Sequence, residues 1–185
     1  MKVGKFLAVV VFYLIFLSGN CFAFGKVSNE QEILADMYAN PRNYVCYGGA
    51  STGFSFYINK RSIDVQQYTP PNYIIAAREI THHLLPGENI VGDRVMRFRY
   101  DYKLHKMWLE TFDENNNLYW KEINPAKSKN YHDDNWVAAG EILFYLAYNI
   151  SFYDEIKTQA AKDYINEGRS RFSLLNLDNG GDGTV

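Results

Sequence analysis

The chain has 185 residues, a length that fits a single domain and suffices to bury a core without covalent staples. Its 19 basic and 21 acidic residues give a formal net charge of -2. This charge provides no broad basic field, which argues against nucleic acid or an anionic membrane as the main partner. The chain also lacks a nucleophile elbow, a phosphate-binding glycine loop and a zinc-protease helix, so the sequence favours a protein that is not an enzyme.

Residues 1–23 have the pattern of a secretory signal peptide. Two lysines precede an apolar run from Phe6 to Leu17, and the small residues Cys21 and Ala23 suit cleavage after Ala23. The run has 12 residues, whereas a membrane-spanning helix needs about 20. We therefore expect an exported protein that keeps no stable membrane span after cleavage and is periplasmic, secreted or on the cell surface.

Two alternatives to cleavage stay open, an uncleaved anchor and a lipid attached to Cys21. Asn20 stands directly before Cys21, where a lipoprotein has a small residue. Cleavage after Ala23 would leave Cys46 as the remaining cysteine and exclude an internal disulfide. We expect Cys46 to be a small buried hydrophobe, with a reactive thiol or an intermolecular disulfide as the alternative.

The mature chain begins with a segment, residues 24–42, that is predicted to be a short helix or a loose arm. Ser28 and Gln31 form a capping-box pattern, and Pro41 ends the helical periodicity.

Residues 43–124 change to short β-prone runs separated by turns. Thr69–Asn72 contains two prolines and breaks the pattern, and Asp113–Asn117 is a hairpin turn rich in asparagine. Ala76–Glu79 leaves a helix possible within one predicted strand. The predicted strands are Tyr44–Tyr47, Phe54–Asn59 continuing through Val65, Tyr73–Leu85, Val95–Tyr102, Met107–Phe112 and Leu118–Ile123.

Residues 133–170 are predicted to form two helices that pack on the sheet. Asp133 and Asp134 are candidate N-caps for a mostly apolar helix to about Asn149, and Ser151 opens a second helix to about Arg169. The tail, residues 176–185, is predicted to be disordered. The predicted fold class is α+β, an antiparallel meander with C-terminal helices on one face.

His82 and His83 are the first candidates for chemistry. Neighbouring side chains on a strand point to opposite faces, so this pair is not expected to chelate one metal. We expect one histidine to be half-buried and the other solvated. His105 and His132 add no ligand spacing, and we predict neither a metal site nor a cofactor.

Carboxylates also give no strong signal for a site. Asp178–Asp182 is similar to part of a calcium loop but lacks the closing glutamate. Glu79, Glu110 and Glu122 lie on predicted strands, and no spacing brings two of them together as a general acid and base.

Aromatic residues beside arginines are the remaining candidates. Tyr68 and Tyr73 bracket the proline turn, and Tyr57 lies on the opposite phase to Phe56 and Ile58. If these rings reach solvent, they form a surface for a protein or glycan, and the alternative is that helices cover both faces. The predicted binding residues are Tyr57, Arg61, Tyr68, Tyr73 and Arg78.

The order of a leader, the stretch Phe54–Asp64, a meander and a helix resembles the surface-adhesin protein E family of small exported bacterial proteins. FYINKRSID carries the resemblance, with Asn59 where an acidic residue is common. The resemblance implies an antiparallel sheet with a helix packed on it and, in the best-known member, adhesion to host extracellular proteins. It assigns no binding residue in this chain.

Three hypotheses about function follow. The first is an exported, non-catalytic binding or adhesin-like envelope protein whose ligand is unknown. The second is a periplasmic enzyme or enzyme inhibitor. The third is a structural envelope protein that only packs against other chains.

Overall fold

The computed structural model describes residues 30–50, 52–83, 91–127 and 131–167. Within them, six strands form one antiparallel sheet in which each strand pairs with its neighbours in sequence. This arrangement confirms the predicted α+β meander. The strands are β1 (Tyr44–Gly49), β2 (Phe54–Thr69), β3 (Asn72–His83), β4 (Val91–Asp101), β5 (Lys106–Phe112) and β6 (Leu118–Ile123), and the helices are α1 (Glu30–Ala39), α2 (Tyr131–Tyr148) and α3 (Gln159–Glu167).

The leader, the turn Pro86–Asn89 and the C-terminal tail lie outside the described residues. No helix in the described ranges is long and apolar enough to cross a membrane.

The alternation of β4 explains why the sheet has two different faces. Met96, Phe98 and Tyr100 are buried, while the residues between them point the other way. The buried set packs against α2 in the main core, and we call this side the helix face. The opposite side is the open face.

Helix α2 lies unusually close to the sheet at Gly140. A β-carbon there would stand 2.4 Å from Met107 Sδ and 3.2 Å from Phe98 Cε1. The Tyr100 hydroxyl donates a hydrogen bond of 3.0 Å to the Gly140 carbonyl oxygen. Glycine therefore lets the helix backbone reach the aromatic layer.

The open face is covered at one end by α1. Ile33 and Met37 pack against Tyr44, Tyr57 and Ile80 in a second, smaller core. Helix α1 also contacts β4, so helices lie on both sides of the sheet at this end, whereas α2 and α3 lie on the helix face.

A polar cluster fastens α1 to the sheet. The Asp36 carboxylate accepts hydrogen bonds from the Tyr44 hydroxyl, from Arg61 and, at 2.9 Å, from Asn40 Nδ2. The bond from Tyr44 lowers the pKa of Asp36, with Asn40 and Arg61 acting in the same direction against desolvation. Burial, together with Asp36, raises the pKa of Tyr44 to about 12, so Tyr44 stays a donor.

Strand β2 contains a bulge within the stretch Phe54–Asp64. The register shifts between Asn59 and Asp64 opposite β3. The Asn59 side chain accepts from the Arg61 amide at 3.0 Å, and the Ser62 hydroxyl bridges the Asn59 carbonyl and the Arg78 amide. These local hydrogen bonds satisfy backbone groups at the point where the β2–β3 hydrogen-bond ladder is interrupted.

The segment after α2 differs from the predicted second helix. Phe152 and Tyr153 are buried in the main core, and the helix begins only at Gln159. The Thr158 hydroxyl accepts from the Ala161 amide at 3.3 Å and so provides the N-cap. Residues 151–158 are thus held by aromatic burial rather than by a helix.

Glu141 on α2 joins this segment to the core. Its carboxylate accepts from the Lys157 amide at 2.6 Å and from the Thr158 hydroxyl at 2.8 Å. Burial raises the pKa of Glu141, and these hydrogen bonds act against that rise. Asp133 and Asp134, predicted as caps of α2, lie within its first turn instead, where the helix dipole favours carboxylates.

We expect Gly140→Ala to destabilise the fold. Overpacking costs about 1–3 kcal/mol, and the gain in helix propensity returns about 1 kcal/mol. Chemical denaturation should show a net loss of about 1 kcal/mol. The same change in a Met107→Ala background should cost less, because the nearest clashing atom is gone, and equal costs in both backgrounds would contradict the close contact.

The attachment of α1 should weaken in acid. Because the pKa of Asp36 is lowered by folding, its contribution is present above the ordinary value of 3.8 and is lost as the pH falls through the lowered value. Hydrogen exchange should therefore show α1 losing protection between about pH 5 and about pH 3. Asp36→Asn should lower the protection of α1 at neutral pH and remove that pH dependence. Wild-type protection that is the same at both pH values would contradict this role.

Candidate binding surface

The open face of β4–β6 carries a set of arginine and tryptophan side chains. We call it the arginine–tryptophan surface, and its residues are Arg97, Arg99, Trp108, Glu110 and Trp120. Register places Arg99 opposite Trp108 and Glu110 opposite Trp120, so alternation brings all five to one face. None of the five is among the buried residues.

Arg99 lies over both indole rings of this surface. Its guanidinium carbon is 4.4 Å from the ring centre of Trp108 and 5.4 Å from that of Trp120. Both distances fall within the range of a cation–π interaction. The two rings therefore restrain the guanidinium and leave the edges of its plane to make hydrogen bonds.

Arg97 is held differently, by polar partners. Its Nη1 donates to both oxygens of Glu110, at 2.7 and 2.8 Å, and its Nε donates to Gln66 at 2.8 Å. The guanidinium also lies 5.8 Å from the ring centre of Trp120. This network fixes the position of the Arg97 side chain within the surface.

Exposed apolar side chains adjoin the surface. Phe112 and Leu118 face each other across β5 and β6 and are 58% and 59% exposed. We call this pair the apolar flank. Its proximity to fixed arginines and tryptophans is typical of a binding surface.

The structure separates the five residues predicted from the sequence. Tyr57 is 0% exposed and lies beneath α1 in the smaller core, so it is not available at the surface. Tyr57 lies on the opposite face of β2 to Phe56 and Ile58, as the alternation predicts, but α1 covers that face.

Arg61 and Arg78 lie together near the attachment of α1. They line a small cavity of about 140 Å³ with Asp36 and Tyr44. Arg61 pairs with Asp36, and Arg78 pairs with Asp93 through a bond from Nε at 3.0 Å. Both arginines therefore have a structural role in holding elements together.

Tyr68 and Tyr73 meet at the far end of the β2–β3 hairpin. Their ring centres are 5.6 Å apart, and both rings contact Tyr148 of α2. Tyr68 is 66% exposed, while Tyr73 packs edge-on against Phe144. This aromatic group is remote along the strands from Arg61 and anchors the hairpin to α2.

The histidine pair also differs from its prediction. His82 and His83 are both buried, so the expectation that one is solvated is wrong. His83 Nε2 lies 3.1 Å from the Thr52 carbonyl oxygen, and the centre of its ring is 4.3 Å from that of Phe54. The described residues contain no group of three or more histidine, cysteine, aspartate or glutamate side chains suited to a metal.

Glu79 is separated from the other two candidate carboxylates. It is 1% exposed on the helix face, where Arg94 donates to it at 2.9–3.1 Å, whereas Glu110 lies on the open face. Arg94 also lies 4.9 Å from the ring centre of Trp136 on α2. Burial and Glu79 raise the pKa of Tyr47 well above its usual value. The ion pair therefore joins β3 to β4, and the contact of Arg94 with Trp136 joins them to α2.

A groove of about 500 Å³ lies at the other end of the sheet. The side chains that line it include the basic residues Lys106 and Lys157, the acidic residue Glu122, and Tyr153. The Tyr153 hydroxyl has no hydrogen-bond partner among the described residues, yet it is shielded from solvent. A ligand in the groove would not reach that hydroxyl, so the groove is a weaker candidate than the arginine–tryptophan surface.

Sequence reasoning missed the arginine–tryptophan surface although a signal was present. The sequence alternates polar and apolar residues along Val95–Tyr102, which puts Arg97 and Arg99 on the polar phase of β4. The short turns on either side of β5 set the register that brings Trp108 opposite Arg99 and Trp120 opposite Glu110. Combining the two observations would have identified the surface.

Comparisons of the chain with protein-family models, with curated proteins and with solved structures found no match.

Proposed function

We propose that this chain is an exported envelope protein of the non-catalytic, adhesin-like binding type. Its ligand, a protein or a glycan, binds on the arginine–tryptophan surface. The observation that carries the proposal is the placement of two tryptophans and two arginines on a sheet face that α2 and α3 leave open. Tryptophan and arginine are the residues that most often dominate the energy of binding.

The rigidity of the surface supports a binding role. Its side chains stand on paired strands, and Arg97 is fixed by Glu110 and Gln66. A surface that is ordered before binding loses little conformational entropy when a partner arrives. The apolar flank adds area that a partner would remove from water.

The leader pattern of residues 1–23 and the resemblance of FYINKRSID support the exported, adhesin-like part of the proposal. Both are properties of the sequence and are independent of the surface. They are therefore tested by a separate experiment.

Fractionation of producing cells tests the export. A C-terminally tagged full-length protein should be recovered outside the cytosol, with a mass that corresponds to a chain beginning at Phe24. Material from intact cells that retains Met1, or that carries lipid on Cys21, would contradict cleavage after Ala23.

Binding to immobilised extracellular-matrix proteins tests the surface. Trp120→Ala should weaken binding about tenfold or more, because it removes a ring that holds Arg97 and Arg99. Tyr119→Ala is the matched control, since Tyr119 is the preceding residue of β6, is exposed and points to the other face. Equal binding by wild type and both variants, or no binding by wild type, would refute the proposed role.

A further inference from the structure

We propose that the arginine–tryptophan surface recognises an acidic side chain of a partner protein and that Arg99 is its anchor. This inference rests on the proposed function and specifies the chemistry of the partner. The partner presents a carboxylate to the guanidinium and apolar side chains to the flank.

Arg99 differs from the other arginines of β2–β4 in its charge balance. The others each have a carboxylate partner: Arg61 with Asp36, Arg78 with Asp93, Arg94 with Glu79 and Arg97 with Glu110. Arg99 has no ion pair within the described ranges, only its two indole contacts. A carboxylate from a binding partner would give Arg99 the kind of ion pair that the other four arginines already have.

The two tryptophans prepare Arg99 for that carboxylate. A guanidinium stacked on aromatic rings keeps its N–H donors in the plane, where they match the two oxygens of a carboxylate. Trp108 and Trp120 restrict the side-chain freedom that a solvated arginine would lose on binding. The geometry therefore lowers the entropic cost of forming the ion pair.

The same geometry disfavours a sugar as the main ligand. A glycan site typically offers an open aromatic face, but Arg99 lies over the rings of both Trp108 and Trp120. The group that this surface offers is thus the guanidinium rather than the ring.

Neighbouring acids restrict the partner further. Glu110 lies on the surface, and Glu122 stands opposite Trp108 on the same face. These carboxylates would repel the repeated phosphates of nucleic acid or of an anionic membrane, which need several unpaired cations. A single acidic side chain fits Arg99, the one arginine of β2–β4 that has no ion pair in the described part of the chain.

The apolar flank sets the spacing within the partner. Phe112 is four residues beyond Trp108 on β5, which corresponds to about 14 Å at the usual rise of an antiparallel strand. An extended segment would cover both points with an acidic residue and an apolar residue about four positions apart. This spacing describes a peptide segment of a protein.

Selection from a random-peptide library on the full mature protein tests the inference. Wild type should enrich peptides with aspartate or glutamate about four positions from leucine, isoleucine or phenylalanine. Arg99→Gln should not enrich them. Arg99→Lys keeps the charge but loses the planar guanidinium that can donate two hydrogen bonds to one carboxylate, so it should enrich them weakly. No enrichment on wild type, or the same acidic peptides on Arg99→Gln, would overturn the inference.

A double-mutant cycle between Arg99 and the acidic residue of the peptide then measures the ion pair. The best peptide should lose about tenfold in affinity when its acid is changed to the corresponding amide, and that change should have little effect with Arg99→Gln protein. Movement of the Trp108 and Trp120 indole N–H signals in NMR spectra should accompany binding by wild type. An equal loss with both proteins would exclude Arg99 as the partner of the acid.

Controls separate this inference from the proposed function. Arg99→Gln should still unfold in a single cooperative thermal transition, because it loses two indole contacts and no ion pair within the described residues. If Trp120→Ala abolishes matrix binding while Arg99→Gln retains it, the surface stands and the carboxylate chemistry is wrong. If wild type sediments as a dimer that Arg99→Gln dissociates, the surface binds a second copy and the inference is overturned.

Discussion

The apolar layer between α2 and the sheet is the constraint on which the rest of the structure depends. Its largest members are aromatic, and Phe144 of α2 contacts Tyr73, Tyr100, Tyr102 and Phe152. Once this layer takes one phase of each strand, the other phase must face away from α2. The arginine–tryptophan surface is a direct result of that alternation.

Much of the fold could be predicted because its determinants are local. The polar and apolar phases of β4, the asparagine-rich turn after β5 and the proline break before β3 identify an antiparallel meander from neighbouring residues alone. Features set by distant contacts could not be predicted in this way. Tyr57 is buried because α1 lies over it, and residues 151–158 avoid a helix because Phe152 and Tyr153 enter the core.

The candidate site shows the same difference between features set by local sequence and features set by distant contacts. The sequence predicts binding residues at the α1 attachment because arginines and tyrosines are close together there. In the structure, however, Arg61 forms an ion pair with Asp36 and Arg78 forms one with Asp93. Arg99 and Trp108 are separated in sequence by a turn and meet only through strand register. Composition identifies the residue types of a surface, whereas register and helix coverage decide which of them are available.

The pairing of each strand with its sequence neighbours has a kinetic consequence. Every hairpin closes a short loop, so the sheet can assemble in the order in which its strands are synthesised, at a small cost in loop-closure entropy. Helix α2, however, comes after all six strands. The nascent sheet therefore presents the side chains of Phe98 and Tyr100 to water, or to a chaperone, until the chain has emerged as far as Tyr148.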